Sequence, residues 1–264
     1  MPNYQRYRFF AIIAIFSVLS DYYYYANSQS VNGSLSGFAP AVATWYGDPS
    51  GPGSVGGGCG YGGEVSNPPY NALVSAGNNH LFKSGIGCGS CYQVKCSQNA
   101  ACSGNPITVT ITDECPGNCN SDPIHFDLSG KAMGYLAKPG QADALRSAGR
   151  INIQYQRVPC YYKGTSITFR IDTGSNPYYL AFVTEYINGD GEIGSMQLLP
   201  SNSKTPLFMQ HVFGATWKAD IPLGIKGPYS VRITSLESKK TITAYNSIPA
   251  DWAPGKYYIA NINF

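Results

Sequence analysis

At 264 residues and 43% hydrophobic content, the chain can bury one large core or two medium ones. A net charge of +3, drawn from only 12% charged residues, excludes a surface built for nucleic acid; the densest cluster, "ESKK" at 237–240, reads as a solvated turn. Eight cysteines and 21 tyrosines point instead to an exported protein that works through aromatic and amide groups, a chemistry suited to neutral polysaccharide.

The opening "MPNYQRYRFFAIIAIFSVLS" sets Arg6 and Arg8 before an apolar run from Phe9 to Leu19 that is too short to span a membrane easily. It predicts a signal peptide over residues 1–28, cleaved around Ala26 to Ser30, and a mature protein with no membrane segment. Asn32, in "NGS", offers a glycosylation acceptor. "APAVATWYG" predicts a first strand, and the Gly- and Pro-rich "GDPSGPGSVGGGCGYGG" an irregular loop. Gly56 to Gly58 in that loop lack the lysine and the following helix that a phosphate cradle requires. "PPYNALVSAGNN" predicts a short helix ending at Gly77 or Asn78. "CYQVKC" and "PITVTITDEC" predict strands, "SGKAMGYLA" and "GQADALRSAG" helices, and "RINIQYQRVPC" a closing strand; many short strands with small helices favour a closed barrel. After Ser166 cysteine disappears, and "ITFRI", "YYLAFVTEYI", "IGSMQLL", "YSVRITS", "KTITAY" and "KYYIANI" follow as the strands of an antiparallel sandwich. The junction "PCYYKGTS" leaves little slack between the two.

Alternation along "PITVTITDEC" turns Asp113 inward if Val109 and Ile111 point inward; its alternative duty is to cap the turn "DECPGNC". In "PIHFDLSG", His125 and Asp127 share one strand face. Asp127 could be a general acid, a sugar acceptor or the cap of the next helix, with Ser129 competing for the cap. Glycoside hydrolysis needs two carboxyl groups flanking the bond, and Asp113 and Asp127 are both available. "CGSC" and "CPGNC" have the look of metal pairs, but an exported domain oxidises such cysteines, so neither a metal nor a cofactor is expected. His80, His125 and His211 form no recognisable constellation, and no serine-nucleophile elbow is present.

"ATWYG", "GGGCGYGG", "GCGSCYQVKC", "ITDEC", "HFDLSGKAMGYLA", "NPYYLAFVTEY", "ATWKAD" and "IPADW", in that order, resemble a plant beta-expansin over nearly the whole mature chain. The resemblance implies an all-β-dominated fold: a six-stranded double-psi β-barrel with small helices, similar to a family 45 endoglucanase, over 56–166 with strand and loop from about 41. An immunoglobulin-like β-sandwich, similar to a family 63 carbohydrate-binding module, is implied over 179–259. It also implies the disulfides Cys59–Cys88, Cys91–Cys160 and Cys96–Cys102, and leaves Cys115 and Cys119 for a fourth bridge around a tight loop. Asp127 matches the endoglucanase general acid, Asp113 a second groove acid, and Thr44 and Tyr46 polar groove residues; His125 joins them on Asp127's face. The catalytic base has no counterpart in the family. Where "GSDGG" is usual this sequence has "GSVGG", so Val55 replaces an aspartate. Parity makes Trp217 a core residue beside Ala215 and Ala219, and leaves Tyr179 opposite Leu180 and Phe182; the resemblance instead places Trp217 on the surface in line with Tyr179 and Trp45, and that placement is adopted. Trp252 is expected to be packed. The implied function is cell-wall loosening without net hydrolysis, by a secreted monomer of the cell wall that binds xylan-rich matrix polysaccharide and cellulose. The alternatives are a weak family 45 type endoglycosidase and a non-catalytic carbohydrate-binding or defence-type structural protein.

Overall fold

Eight residues of alternating small and apolar character form the first strand, β1 (Ala39–Tyr46), in a computed structural model that describes residues 37–264. The signal segment 1–28 and Asn32 lie outside the described residues. β1 is followed by β2 (Val74–Gly77), the single helical turn α1 (Asn79–Phe82), β3 (Cys91–Lys95), β4 (Ile107–Glu114) and β5 (His125–Ser129). Helices α2 (Gly130–Tyr135) and α3 (Ala142–Ser147) lead to β6 (Ile151–Val158). The six strands close into a barrel in the order β1-β5-β2-β4-β3-β6, with parallel β1–β5 and β2–β4 pairs among antiparallel ones. Ala43, Val109, Ile111, Phe126 and Leu128 are fully buried at its centre.

The predicted helix over "PPYNALVSAGNN" is not formed. Asn71 and Ala72 take left-handed φ values of 52° and 59°, and the four residues after Leu73 are strand β2, buried throughout between β4 and β5. Gly77 leaves no room for a side chain in this arrangement, since a Cβ there would stand 2.6 Å from the Leu81 side chain. Pairing on both edges outweighs a weak local helix preference.

Nine strands follow: β7 (Thr168–Ile171), β8 (Tyr179–Glu185), β9 (Ile193–Pro200), β10 (Leu207–Phe208), β11 (Gln210–Phe213), β12 (Thr216–Asp220), β13 (Tyr229–Ser235), β14 (Thr241–Ile248) and β15 (Tyr257–Ile259). They form one sheet in the order β10-β9-β13-β14 and a second in the order β11-β12-β8-β7-β15, an immunoglobulin-like sandwich whose core includes Phe169, Leu180, Phe182, Leu198 and Val231. β10 and β11 are too short to register as alternating runs, and they fall outside the predicted strands.

Four disulfides join Cys59–Cys88, Cys91–Cys160, Cys96–Cys102 and Cys115–Cys119. The second reaches the linker, where Cys160 exchanges backbone hydrogen bonds of 2.8 and 3.0 Å with Gly189. At the seam between barrel and sandwich, Tyr61, Tyr70, Tyr162 and Tyr186 form a cluster with ring centroids 5.2–6.0 Å apart. Nearby, buried Glu192 receives Lys83 at 3.0 Å and Arg157 at 3.2 Å. The β11–β12 turn is pressed against the barrel: Gly214, at φ +59°, would drive any Cβ into the Gly58 carbonyl and the Cys59 backbone.

Candidate functional site

Strand register brings the candidate residues of the barrel together. Thr44 of β1 pairs with Asp127 of β5, Asp127 pairs with Ala76 of β2, and Ala76 pairs with Asp113 of β4. Paired residues project to one side of a sheet, so Thr44, Asp127 and Asp113 stand in a row with only a methyl group between the two acids. Simple alternation would place Asp113 on the inward face of Ile111. It does not, because Ser75 pairs with Ile111 while Ala76 pairs with Asp113, leaving Thr112 as an extra residue on β4. This bulge reverses the facing of everything after it and turns Asp113 to the side of Thr44 and Asp127. Ser129 caps α2 through the Ala132 amide at 3.0 Å, which frees the Asp127 carboxylate from that duty.

Asp113 anchors the glycine-rich loop as well as the start of the "DECPGNC" turn: its Oδ1 accepts from the amides of Gly58 at 2.6 Å and Glu114 at 2.8 Å, and its Oδ2 from the Tyr46 hydroxyl at 3.3 Å. Asp127 accepts from the Thr44 hydroxyl at 2.5 Å through Oδ1, while its Oδ2 lies 3.8 Å from the Cys115 sulfur. Behind Thr44, His125 Nε2 is 2.9 Å from the same hydroxyl, and Nδ1 is 2.8 Å from Asp122. Asp122 in turn takes two hydrogen bonds from Arg150, of 2.8 and 2.9 Å. Burial pushes Asp127 above the usual carboxylate range and Asp113 adds to the shift, against the opposing pull of Thr44 and His125. Burial, with Asp113 and Asp127 beside it, raises the Tyr46 phenol too, so it remains a hydroxyl donor. The Arg150 hydrogen bonds, followed by His125, hold Asp122 down at about 2.

The outer face of the five-stranded sheet meets the barrel at buried Val183 and Glu185 and is exposed toward its edges, which supply a second surface. Register places Phe213, Thr216, Val183, Arg170 and Tyr257 in one row across β11, β12, β8, β7 and β15, a span of about 19 Å at the usual strand spacing. Phe213 and Tyr257 at its ends are each 51% exposed. Tyr179 faces the same side, half-buried, with the Lys218 ammonium 5.8 Å from its ring centre. Gly58 links the two surfaces, since its amide is held by Asp113 and its carbonyl abuts Gly214, the residue after Phe213. The Phe213 ring also packs 5.7 Å from Phe82 of the barrel.

Residues 74–155 match the family described as lytic transglycolase, and residues 167–249 the expansin C-terminal domain. Expansin-B4 of Arabidopsis thaliana is 52% identical over 97% of this chain and 98% of its own length. The chain belongs to the beta-expansin family. Expansin-B11 of Oryza sativa subsp. japonica is 46% identical over 91% of this chain and 82% of its own. The crystal structure of the apo Clavibacter michiganensis expansin shares the fold, with a TM-score of 0.62 at 20% identity over 86% of this chain and 98% of that one. A point mutant of the same bacterial expansin, solved in complex with cellohexaose, superposes with a TM-score of 0.63 at 18% identity over the same shares.

Three residues of this beta-expansin chain lie elsewhere than the sequence reading placed them. Trp217 pairs with Phe182, so it shares the inward face of β8 and β12 and is only 6% exposed. Parity, which favoured the core, was the better guide. Trp45 points to the side of β1 opposite Thr44 and Tyr46, packs on the barrel core, and donates its indole N–H to the Arg146 carbonyl at 2.9 Å. His125 is 3% exposed, behind Thr44 rather than on the groove surface, and it does belong to a constellation, that of Asp122, His125 and Thr44. Trp252 packs, partly buried, against the sandwich core. Val55 is exposed on the glycine-rich loop. Phe213 was missed, although the glycine and alanine that follow it in "VFGAT" are the turn signal of a hairpin whose tip could carry an exposed ring.

Proposed function

We propose that the chain is a secreted, non-hydrolytic wall-loosening protein that grips an extended polysaccharide along one continuous surface. The surface runs from Thr44, Tyr46, Asp127 and Asp113 across the Gly57–Gly60 backbone to Phe213, with Tyr179 and Tyr257 on the adjoining sheet. Gly58 carries this reading, because it joins the acid row to the aromatic hairpin with a single residue. Flat rings suit the faces of pyranose units, and carboxylates and hydroxyls suit their edges. Membership of the beta-expansin family supports a carbohydrate-binding, wall-loosening role in the extracellular wall, and the bacterial expansin of the same fold is captured with a cellulose oligomer. Xylan-rich matrix polymer is the preferred substrate in this proposal, cellulose the second, and the working unit is a monomer delivered by the leader at 1–28. Hydrolysis is disfavoured because Asp113, the other acid of the row, is committed to the Gly58 and Glu114 amides and the Tyr46 hydroxyl.

Two measurements test it. Asp127→Asn should abolish the extension of heat-killed walls under tension, with no steady release of reducing ends from xylan, mixed-linkage glucan or cellulose by either protein. Steady release by the wild type, lost in the variant, would establish the endoglycosidase reading instead, and binding without wall extension the purely carbohydrate-binding one. Separately, Phe213→Ala should weaken binding to insoluble xylan and cellulose by roughly five- to tenfold, the loss of about 1 kcal/mol of ring contact. Unchanged isotherms on both polymers would remove the hairpin from the surface.

A further inference from the structure

Thr44 has one hydroxyl proton and two close neighbours that can accept it, Asp127 Oδ1 at 2.5 Å and His125 Nε2 at 2.9 Å. The other ring nitrogen, Nδ1, faces Asp122 at 2.8 Å, and both Asp122 oxygens are gripped by Arg150. A carboxylate held by a guanidinium stays ionised and accepts only, so Nδ1 carries a hydrogen in every arrangement. A neutral ring with its hydrogen on Nε2 would set a bare Nδ1 against an ionised carboxylate. A neutral Nδ1–H ring beside an ionised Asp127 would leave two acceptors competing for one hydroxyl proton, with the loser unpaired in a site where His125 is 3% exposed.

Two arrangements satisfy every group, and they contain the same number of protons. We propose that Thr44 passes one proton between Asp127 and His125, so that the groove acid alternates between hydroxyl donor and carboxylate acceptor without exchanging a proton with solvent. In the first arrangement Asp127 is protonated, its Oδ1–H donates to Thr44, and the threonine hydroxyl donates to Nε2 of a neutral ring. In the second, the Oδ1–H bond has broken as a new O–H bond formed at Thr44, and the former threonine proton has moved to Nε2. Asp127 is then a carboxylate and His125 an imidazolium, and the three groups Asp122, His125 and Asp127 keep the same total charge. Asp122 is the positioning residue, fixing the tautomer that leaves Nε2 open to Thr44, and Arg150 keeps it ionised.

The surroundings favour retention of the shared proton. Asp113 on β4 adds negative charge facing Asp127, the Tyr46 hydroxyl on β1 adds none, and the sulfur of Cys115 belongs to a disulfide. Arg150, ahead of β6, supplies positive charge but is spent on Asp122. Burial acts on Asp127 in the same direction. The use of the relay rests on the groove reading above, since sugar hydroxyls both donate and accept and a residue that can do either follows a sliding chain without an unpaired step.

The test needs no polysaccharide, so its outcome is independent of wall extension and glycan binding. In the 15N-labelled mature protein, the neutral form of His125 should carry its hydrogen on Nδ1, the minority tautomer of a free imidazole. Asp122→Ala should switch it to Nε2–H. The 13C signal of the Asp127 carboxyl and the 15N signals of His125 should move together with pH in the wild type and in Thr44→Ser, and separate in Thr44→Val. An Nε2–H tautomer in the wild type, which requires no variant to fold, would overturn the proposal; so would joint transitions that persist unchanged in folded Thr44→Val.

Discussion

Trp217→Ala is expected to destabilise the protein by about 3–5 kcal/mol while leaving polysaccharide binding intact in the molecules that remain folded. The ring sits on the inward face of β12, paired with Phe182, and meets the His211 imidazole edge-on at 5.3 Å. Around it the same core holds Leu180, Ala219 and Phe169, whose ring stands 5.1 Å from Phe182. Truncating a large ring there removes its contacts and leaves a cavity that the neighbouring strands, fixed by their register, cannot close. Phe213→Ala supplies the contrast, because the lost ring is half in solvent and its removal should cost under about 1 kcal/mol of stability. Urea denaturation beside matched binding isotherms separates the two. A Trp217→Ala protein of near wild-type stability with weakened binding would return the tryptophan to the ligand surface and displace Phe213.

The residues that could be read correctly from sequence are those whose neighbours in the chain decide them. Val109 and Ile111 alternate with threonines, Leu180 and Phe182 sit in an apolar run, and both pairs are buried. Ser129 had the helix behind it and took the cap, leaving Asp127 free. Where facing depends on an irregularity, local reading fails. The extra Thr112 reverses Asp113, and a second register shift between His211 and Phe213 carries an exposed ring onto the β11–β12 hairpin that no alternation anticipates. His125 could be placed on Asp127's face, but its partners Thr44 and Asp122 come from β1 and from the turn before β5, so the chain of hydrogen bonds is a property of barrel closure. Trp217 shows the converse hazard, since a resemblance of fragments placed on the surface a ring that the register of β12 turns into the core.

Stability is expected to fall as the pH rises from about 4.5 to about 7, by an amount on the order of 3 kcal/mol, and Glu185→Gln is expected to flatten that slope. Glu185 ends β8 at the seam, where its side chain is fully buried and its Oε2 has no hydrogen-bond partner among the described residues. Arg170 reaches Oε1 at 3.2 Å and favours the charged form. Burial outweighs it, with Glu64 adding to the same side, and the carboxyl is pushed up to about 7 from an ordinary value of 4.5. Arg170 is also held by the Gly60 carbonyl, and Tyr186, the next residue in the chain, donates to Glu64 at 3.1 Å, so the proton on Glu185 lies at the contact between sandwich and barrel. Below pH 4.5 both folded and unfolded chains hold the proton. Between the two values the unfolded chain has released it and the folded chain has not, so the folded state binds more protons and loses stability with each step upward. Above about 7 the folded carboxyl is ionised as well, and the full loss has been incurred. Glutamine keeps an acceptor for Arg170 without a charge to desolvate, which removes the window rather than moving it. Urea midpoints of the two proteins measured across pH 4 to 8 decide the matter: a wild-type curve that is level or rising through the window, or a slope that Glu185→Gln leaves in place, would show that the seam does not hold its proton there.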